Sequence, residues 1–347
     1  MTGEITWSEL NSQPDVWATL IARLQSGGLV LPFDPCLYDE VLLVGSGTSY
    51  YLARAVADWM CRRGWRAQAA ASCEVLLDPL LSRTSTARRL AIGFSRSGQS
   101  SELLLANPIL KAAGFDLLGF CCTAGSALLW QVDHHLLISE GHEDGLVMLR
   151  SFTSMLIAAQ WLFGTAKDRA ALTGLPDAGR ALLAEAPALR RLAHRRDYDR
   201  FVFLGSGAQH PLTQEAALKV QEMAVATSEA YYSLDYRHGP KACADSNTMV
   251  TLFTLSDRAM GLALARDIRE LGATLLVIGT DAAAYADVAD MALALNGIGP
   301  GEAAGEAAGE AAGAALMIPA QLLAFATALR RGRNPDAPVN LTKVVVL

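Results

Sequence analysis

Val41-Leu42-Leu43-Val44-Gly45-Ser46-Gly47-Thr48-Ser49 begins as an unbroken apolar run and closes on a glycine turn, after which apolar residues return at helical spacing through Leu52, Ala55, Val56 and Trp59. An apolar run without alternation is a strand buried on both faces, and a tight turn into an amphipathic helix is the first half of a strand, helix, strand unit. The same order recurs in Leu90-Ala91-Ile92-Gly93-Phe94, followed by Ser95-Arg96-Ser97-Gly98-Gln99-Ser100, and again at Leu117-Leu118-Gly119-Phe120. A second series opens at Phe201-Val202-Phe203-Leu204-Gly205-Ser206-Gly207, an echo of Val41 to Gly47, and continues through Val250-Thr251-Leu252-Phe253 and Thr274-Leu275-Leu276-Val277-Ile278-Gly279. Strands of this kind alternating with helices predict parallel sheets, and the echo predicts a duplicated α/β domain.

The 347 residues, 52% hydrophobic and 18% charged, suffice for two cores. The expected organisation is a helical segment over 1–30, one α/β domain over 31–167 and an Ala- and Arg-rich helical connector over 168–196. A second domain over 197–320 and a C-terminal helix and tail over 321–347, carrying Lys343, complete it. A net charge of -6 supplies no extended basic field, which argues against nucleic acid as a partner, so an anionic ligand must be met locally. The N-terminus lacks a basic region followed by an apolar stretch, and the chain is read as lacking a run of about 18 uncharged apolar residues, so a cytoplasmic protein with no membrane partner is expected. Six cysteines without a C-x-x-C pair are expected to be small buried hydrophobes, including the adjacent Cys121 and Cys122. Gly301-Glu302-Ala303-Ala304, repeated through Gly305 and Gly309, predicts a frayed helix or mobile loop without chemistry.

The densest local signal is Ser95-Arg96-Ser97-Gly98-Gln99-Ser100, where a buried strand hands over to a helix expected from about Ser101. Hydroxyls around one glycine let backbone N–H and O–H donors converge on a phosphate dianion, assisted by the helix N-terminal dipole; simple helix capping by the serines is the alternative. In a parallel sheet the Gly47-Thr48-Ser49 turn also lies at the carboxyl end of a strand, where ligands bind. It does not complete a dinucleotide fingerprint, because Tyr50 occupies the final glycine position of G-x-G-x-x-G, so no nicotinamide cofactor is expected. In the second series Asp257 stands where a phosphate would go. Glu215, Lys219 and Glu222 fall on one helix face there, for which a solvated i,i+4 ion pair is the default explanation. No His/Cys/Asp cluster has metal-ligand spacing, and adjacent His134 and His135 point to opposite faces of a strand-like segment.

Five segments together resemble the isomerase half of glucosamine-6-phosphate synthase and, more closely, the galactosamine-6-phosphate deaminase family often labelled tagatose-6-phosphate ketose/aldose isomerases. They are Gly47-Thr48-Ser49-Tyr50, Ser95-x-Ser97-Gly98-x-Ser100, Glu215-Ala216-Ala217-Leu218-Lys219-x-x-Glu222, Arg237-His238-Gly239-Pro240 and Asn340-Leu341-Thr342-Lys343. The resemblance implies two tandem SIS (sugar isomerase) domains, each a three-layer α/β/α sandwich of flavodoxin type. It implies that Glu222 moves the proton between C1 and C2, that His238 opens the sugar ring and that Lys343 lies at the substrate carbonyl, open also to a Schiff-base route. Lys219, one turn before Glu222, is expected to tune that carboxylate or stabilise the oxyanion. Gly47, Thr48, Ser49, Ser95, Arg96, Ser97, Gly98, Gln99 and Ser100 become the sugar-phosphate contacts, and His238 serves a partner's site in a homodimer. The site is expected to be shared between the halves, with no cofactor and no metal.

Departures from the pattern carry expectations too. The synthase draws ammonia from an N-terminal glutaminase with a cysteine after the initiator methionine, whereas Thr2 stands here and the first sheet strand begins near Val41, so no use of glutamine is expected. That leaves amino-sugar deamination, plain isomerisation, or cleavage of a fructosamine phosphate as in the related deglycases. Met148 stands where the synthase has a sugar-contacting serine, which leaves the sugar's stereochemistry open. A non-catalytic phosphosugar sensor is the alternative, although regulators of this fold commonly carry a helix-turn-helix domain for which the residues before the first strand are too few.

Overall fold

The computed structural model describes residues 2–254, 256–296, 311–343 and 345. The chain forms two compact units: one comprises Asp15–Asp144, Met148–Arg169 and the residues from Thr342, the other the residues up to Pro14, Gly145–Val147 and Ala170–Leu341.

The first unit is built on β1 (Glu40–Gly45), β2 (Ala67–Ala71), β3 (Arg89–Ser95), β4 (Phe115–Cys121) and β5 (His134–Leu137), all parallel in the order β2-β1-β3-β4-β5. Pairing runs in register from Val41 opposite Leu90 to Val44 opposite Gly93. The order reverses at β1 and β3, so the right-handed crossovers place helix Thr48–Cys61, after β1, and helix Ser101–Ala112, after β3, on opposite faces. Both faces are consequently covered. Leu42, Val44, Ala91 and Leu117 pack with Leu103, Ala106 and Leu110 of the helix after β3, while Leu43, Ile92, Phe94 and Phe120, pointing the other way, are buried as well. This is why the central strands are apolar throughout.

The second unit repeats the order with β6 (Arg200–Gly205), β7 (Thr227–Tyr232), β8 (Thr248–Phe253), β9 (Thr274–Gly279) and β10 (Met291–Ala294), arranged β10-β9-β8-β6-β7 and parallel throughout. Val202, Val250, Leu275 and Val277 pack on Leu264 and Ile268 of helix Arg258–Glu270. Helix His210–Ala224 covers β6 and β7 on its other side against helix Gly313–Arg330. Two α/β domains, each a parallel five-stranded sheet between helices, thus make up the described chain.

Several expectations need correction or placing. The residues from Ala311 to Leu329 are uncharged, so the chain does contain a membrane-length apolar run, and helix Gly313–Arg330 is long and apolar enough to cross a bilayer. It is instead a core helix: its window is 89% buried, Gln321 accepts from Gln13 Nε2 at 2.7 Å, and it packs on helices Glu4–Asn11, Leu175–Ala184, Ala186–His194 and His210–Ala224. Of the six cysteines only Cys121 and Cys122 are buried, and burial pushes both thiols up from their ordinary pKa; Cys36, Cys61, Cys73 and Cys243 are exposed. The connector stretch is helical over Ala166–Leu172, Leu175–Ala184 and Ala186–His194. The Gly-Glu-Ala-Ala repeat from Gly301 to Glu310 lies outside the described residues.

Candidate functional site

The serine-rich loop of the first unit joins buried Ser95, the last residue of β3, to Ser100 at the N-cap of helix Ser101–Ala112. Ser95 Oγ accepts from the Gly98 N–H at 3.0 Å and lies 3.3 Å from Ser100 Oγ, and Ser97 Oγ accepts from the Gln99 N–H at 3.2 Å. The hydroxyls therefore brace the loop, but none caps the helix, since Ser100 makes no side-chain capping bond. Gly98 is obligatory on two grounds. Its φ is +63°, and an added Cβ would fall 2.1 Å from Ser126 Oγ. Across the switch point, helix Thr48–Cys61 starts after Gly47, also at positive φ, with Thr48 and Ser49 buried in its first turn and Ser49 Oγ 4.0 Å from Met148 Sδ. Two helix N-termini with hydroxyl side chains thus begin at the carboxyl edge of adjacent strands, an arrangement that stabilises anions.

Beside this loop lies a cavity of about 220 Å³. Arg96, Ser97 and Gln99 form one wall, Thr123 to Ser126 after β4 another, and His142, Glu143 and Lys343 the rest. Arg96 is buried; its guanidinium is 3.6 Å from the Glu143 carboxylate and donates to the Lys343 carbonyl at 3.3 Å. Glu143, fully enclosed, accepts from the Leu149 and Ser151 N–H groups and from Ser151 Oγ at 2.5 Å, so it caps helix Arg150–Phe163 while facing Arg96. Lys343 Nζ donates to the carbonyls of Glu143 and Asp144 at 3.0 and 2.9 Å. Of the residues singled out from sequence, Arg96, Ser97, Gln99 and Lys343 meet here, while Gly47, Thr48, Ser49, Ser95, Gly98 and Ser100 are not among the cavity's lining. Glu143, His142, Thr123 and Ser126 were absent from the sequence expectation. No motif joins them, since the partners of Glu143 lie at irregular spacing along the chain, Leu149 and Ser151 close by and Arg96 far off.

In the second unit, helix His210–Ala224 presents Glu215, Lys219 and Glu222 on one face. The default of a solvated ion pair fails, because Glu215 and Lys219 have no exposed side-chain surface at all. Lys219 Nζ is 3.1 Å from Glu215 Oε1 and 2.5 Å from Glu222 Oε2, and Glu222 alone of the three reaches solvent, with 19% of its side chain exposed. Burial pulls the Lys219 ammonium down, but the two carboxylates outweigh it and hold its pKa above the ordinary lysine value. A dry, protonated lysine therefore orients a carboxylate that water can touch. His238 ends the short helix Asp235–His238 and is exposed; Gly239 follows at φ 139°. Arg237 Nε pairs with Asp267 at 2.9 Å, which ties this loop to helix Arg258–Glu270.

Residues 39–164 match the SIS domain family. The chain is 28% identical to a glutamine–fructose-6-phosphate aminotransferase (isomerizing) of Pyrobaculum aerophilum over 98% of this chain and 57% of the relative. It is 27% identical to a D-galactosamine-6-phosphate deaminase candidate of Escherichia coli K12 over 97% of this chain and 92% of that protein. The solved glucosamine-6-phosphate deaminase of Thermotoga maritima superposes with a TM-score of 0.83 at 27% identity, covering 99% of this chain and all of that one. The chain spans little more than half the length of the aminotransferases it matches.

Proposed function

We propose, for a chain whose residues 39–164 belong to the SIS domain family, that it is a phosphosugar aldose–ketose isomerase or amino-sugar-6-phosphate deaminase. The observation that carries this reading is the Glu215–Lys219–Glu222 row: a buried cation holding one partly exposed carboxylate is what proton transfer between C1 and C2 of an open-chain sugar requires. In this reading Gly47, Thr48, Ser49 and the Ser95 to Ser100 loop hold the phosphate through helix N-termini and hydroxyls. Glu222 moves the proton, Lys219 orients it, His238 acts on the ring oxygen and Lys343 assists at the carbonyl. The similarity to relatives named for amino-sugar phosphates supports the substrate class. Exposure of His238 supports the further reading that it serves a second subunit of a homodimer; sedimentation showing a monomer at assay concentration would remove that part.

A second reading, fructosamine-6-phosphate deglycase, is favoured by one feature. The cavity with Arg96 and Lys343 beside the serine loop suits the carboxylate of an attached amino acid. One panel separates the readings: incubation with glucosamine-, galactosamine- and fructosamine-6-phosphates, scoring ammonia, ketose and free amino acid. Turnover of at least one is expected, with Glu222→Gln lowering kcat by about 10²- to 10⁴-fold. Tight binding of these sugars with no turnover of any by the wild type would make the protein a sensor.

A further inference from the structure

Within the second unit, and independent of the phosphosugar reading, three helices enclose a groove of about 440 Å³. Its floor is Leu322, Phe325 and Ala326, three positions on one face of helix Gly313–Arg330, all nearly inaccessible to solvent. Trp7 of helix Glu4–Asn11 forms a wall, its ring centroid 5.6 Å from that of Phe325 and its surface 39% exposed. The opposite rim is helix Ala186–His194, where Arg190, Arg191 and His194 line the same groove and both arginines are exposed. The walls are tied together: a His194 ring nitrogen lies 3.2 Å from the Ala326 carbonyl, and Arg330 donates to the His194 carbonyl while pairing with Asp197 at 2.7 Å. A braced apolar trough of this volume, with an aromatic wall and cations confined to one rim, falls within the size of small-molecule sites and has a definite polarity.

We propose that this groove binds an amphipathic anion, an apolar chain or ring system seated on Phe325 and Trp7 with its acidic group against Arg190 and Arg191. The apolar body supplies burial and the paired guanidiniums supply charge-assisted hydrogen bonds that an uncharged ligand of the same shape cannot form. Calorimetric titration of the full chain with dodecanoate and with dodecanol tests this. Dodecanoate is expected to bind one per chain and at least tenfold more tightly than dodecanol. The double variant Arg190→Glu/Arg191→Glu, at exposed positions, is expected to lose at least tenfold toward dodecanoate and nothing toward dodecanol, and Trp7→Ala to weaken both. Equal affinity for the two probes, or indifference of dodecanoate to the charge reversal, overturns the proposal. So does a failure to bind either probe while the charge reversal shifts the sedimentation of the wild-type assembly, since a second copy would then cover the groove.

Discussion

The ends of β3 and β8 occupy the same place in two sheets of identical strand order, yet their chemistry is opposite. After β3, helix Ser101–Ala112 starts behind a loop of serines, and its N-cap residue Ser100 makes no side-chain capping bond. After β8, helix Arg258–Glu270 starts behind Asp257, whose carboxylate accepts from the Met260 N–H at 3.0 Å. The N-cap side chain leaves one helix N-terminus without a capping bond, whereas at the other it supplies a carboxylate of the protein's own. The helices after β1 and β6 differ in the converse sense. Thr48 and Ser49 open the first, whereas the second begins with His210 and Pro211 and carries Glu215, Lys219 and Glu222. Two similar frames thus carry different groups, hydroxyls at the helix starts of one and a Glu–Lys–Glu row on a helix of the other.

The variant with the largest expected effect on this comparison is Lys219→Met. It strands two carboxylates, one of them fully buried, and is expected to lower unfolding stability by about 3–5 kcal/mol in chemical denaturation, as removal of one partner of a buried ion pair does. The Lys219 pKa is raised in the fold, so this stabilisation is present in full below the unfolded value and is lost only as pH climbs through the folded one. The lysine's own contribution to the gap between wild type and variant should therefore stay constant between about pH 6 and 9. A gap that vanished at neutral pH would mean that the lysine is not charged in the core.

Next in size is Ser100→Asp, which writes the β8 arrangement into the β3 loop. If the proposed phosphate site is right, a fixed carboxylate at the N-cap competes with the phosphate for the same N–H groups, and KM is expected to rise by about ten- to a hundredfold with kcat little changed. An unchanged KM would place the phosphate elsewhere. The smallest effect belongs to Asp257→Ala: loss of the cap lowers stability by about 1 kcal/mol, a shift of a few degrees in Tm, and leaves activity intact. A loss of activity there would show that the β8 end has kept a part in the chemistry.

Much of the frame was legible in the chain. The six inner strands β1, β3, β4, β6, β8 and β9 announce themselves as apolar runs because neighbours on both sides and helices on both faces exclude water. The edge strands are harder. Ala67 to Ala71 of β2, Thr227 to Tyr232 of β7 and Met291 to Ala294 of β10 are partly exposed, and an alanine-rich segment favours helix on local propensity alone; only β5 showed as strand-like. The serine loop was legible because its glycine and hydroxyls are contiguous. Glu143 was not, since its importance lies in reaching Arg96 and the start of helix Arg150–Phe163 at once.

By itself, the sequence determined the alternation of strand and helix, the glycine turns at the carboxyl ends of β1, β3 and β6, and the spacing that sets Glu215, Lys219 and Glu222 on one face, because each is a property of neighbours along the backbone. Only the tertiary structure decided the solvent each of these groups meets. The uncharged run at Gly313–Arg330 became a core helix, the Glu215–Lys219 pair became dry, and Lys343 came to rest on the carbonyls of Glu143 and Asp144. Spacing along a chain fixes which way a side chain points, whereas burial depends on what distant segments are packed over it, and burial sets the strength of every charge in the site.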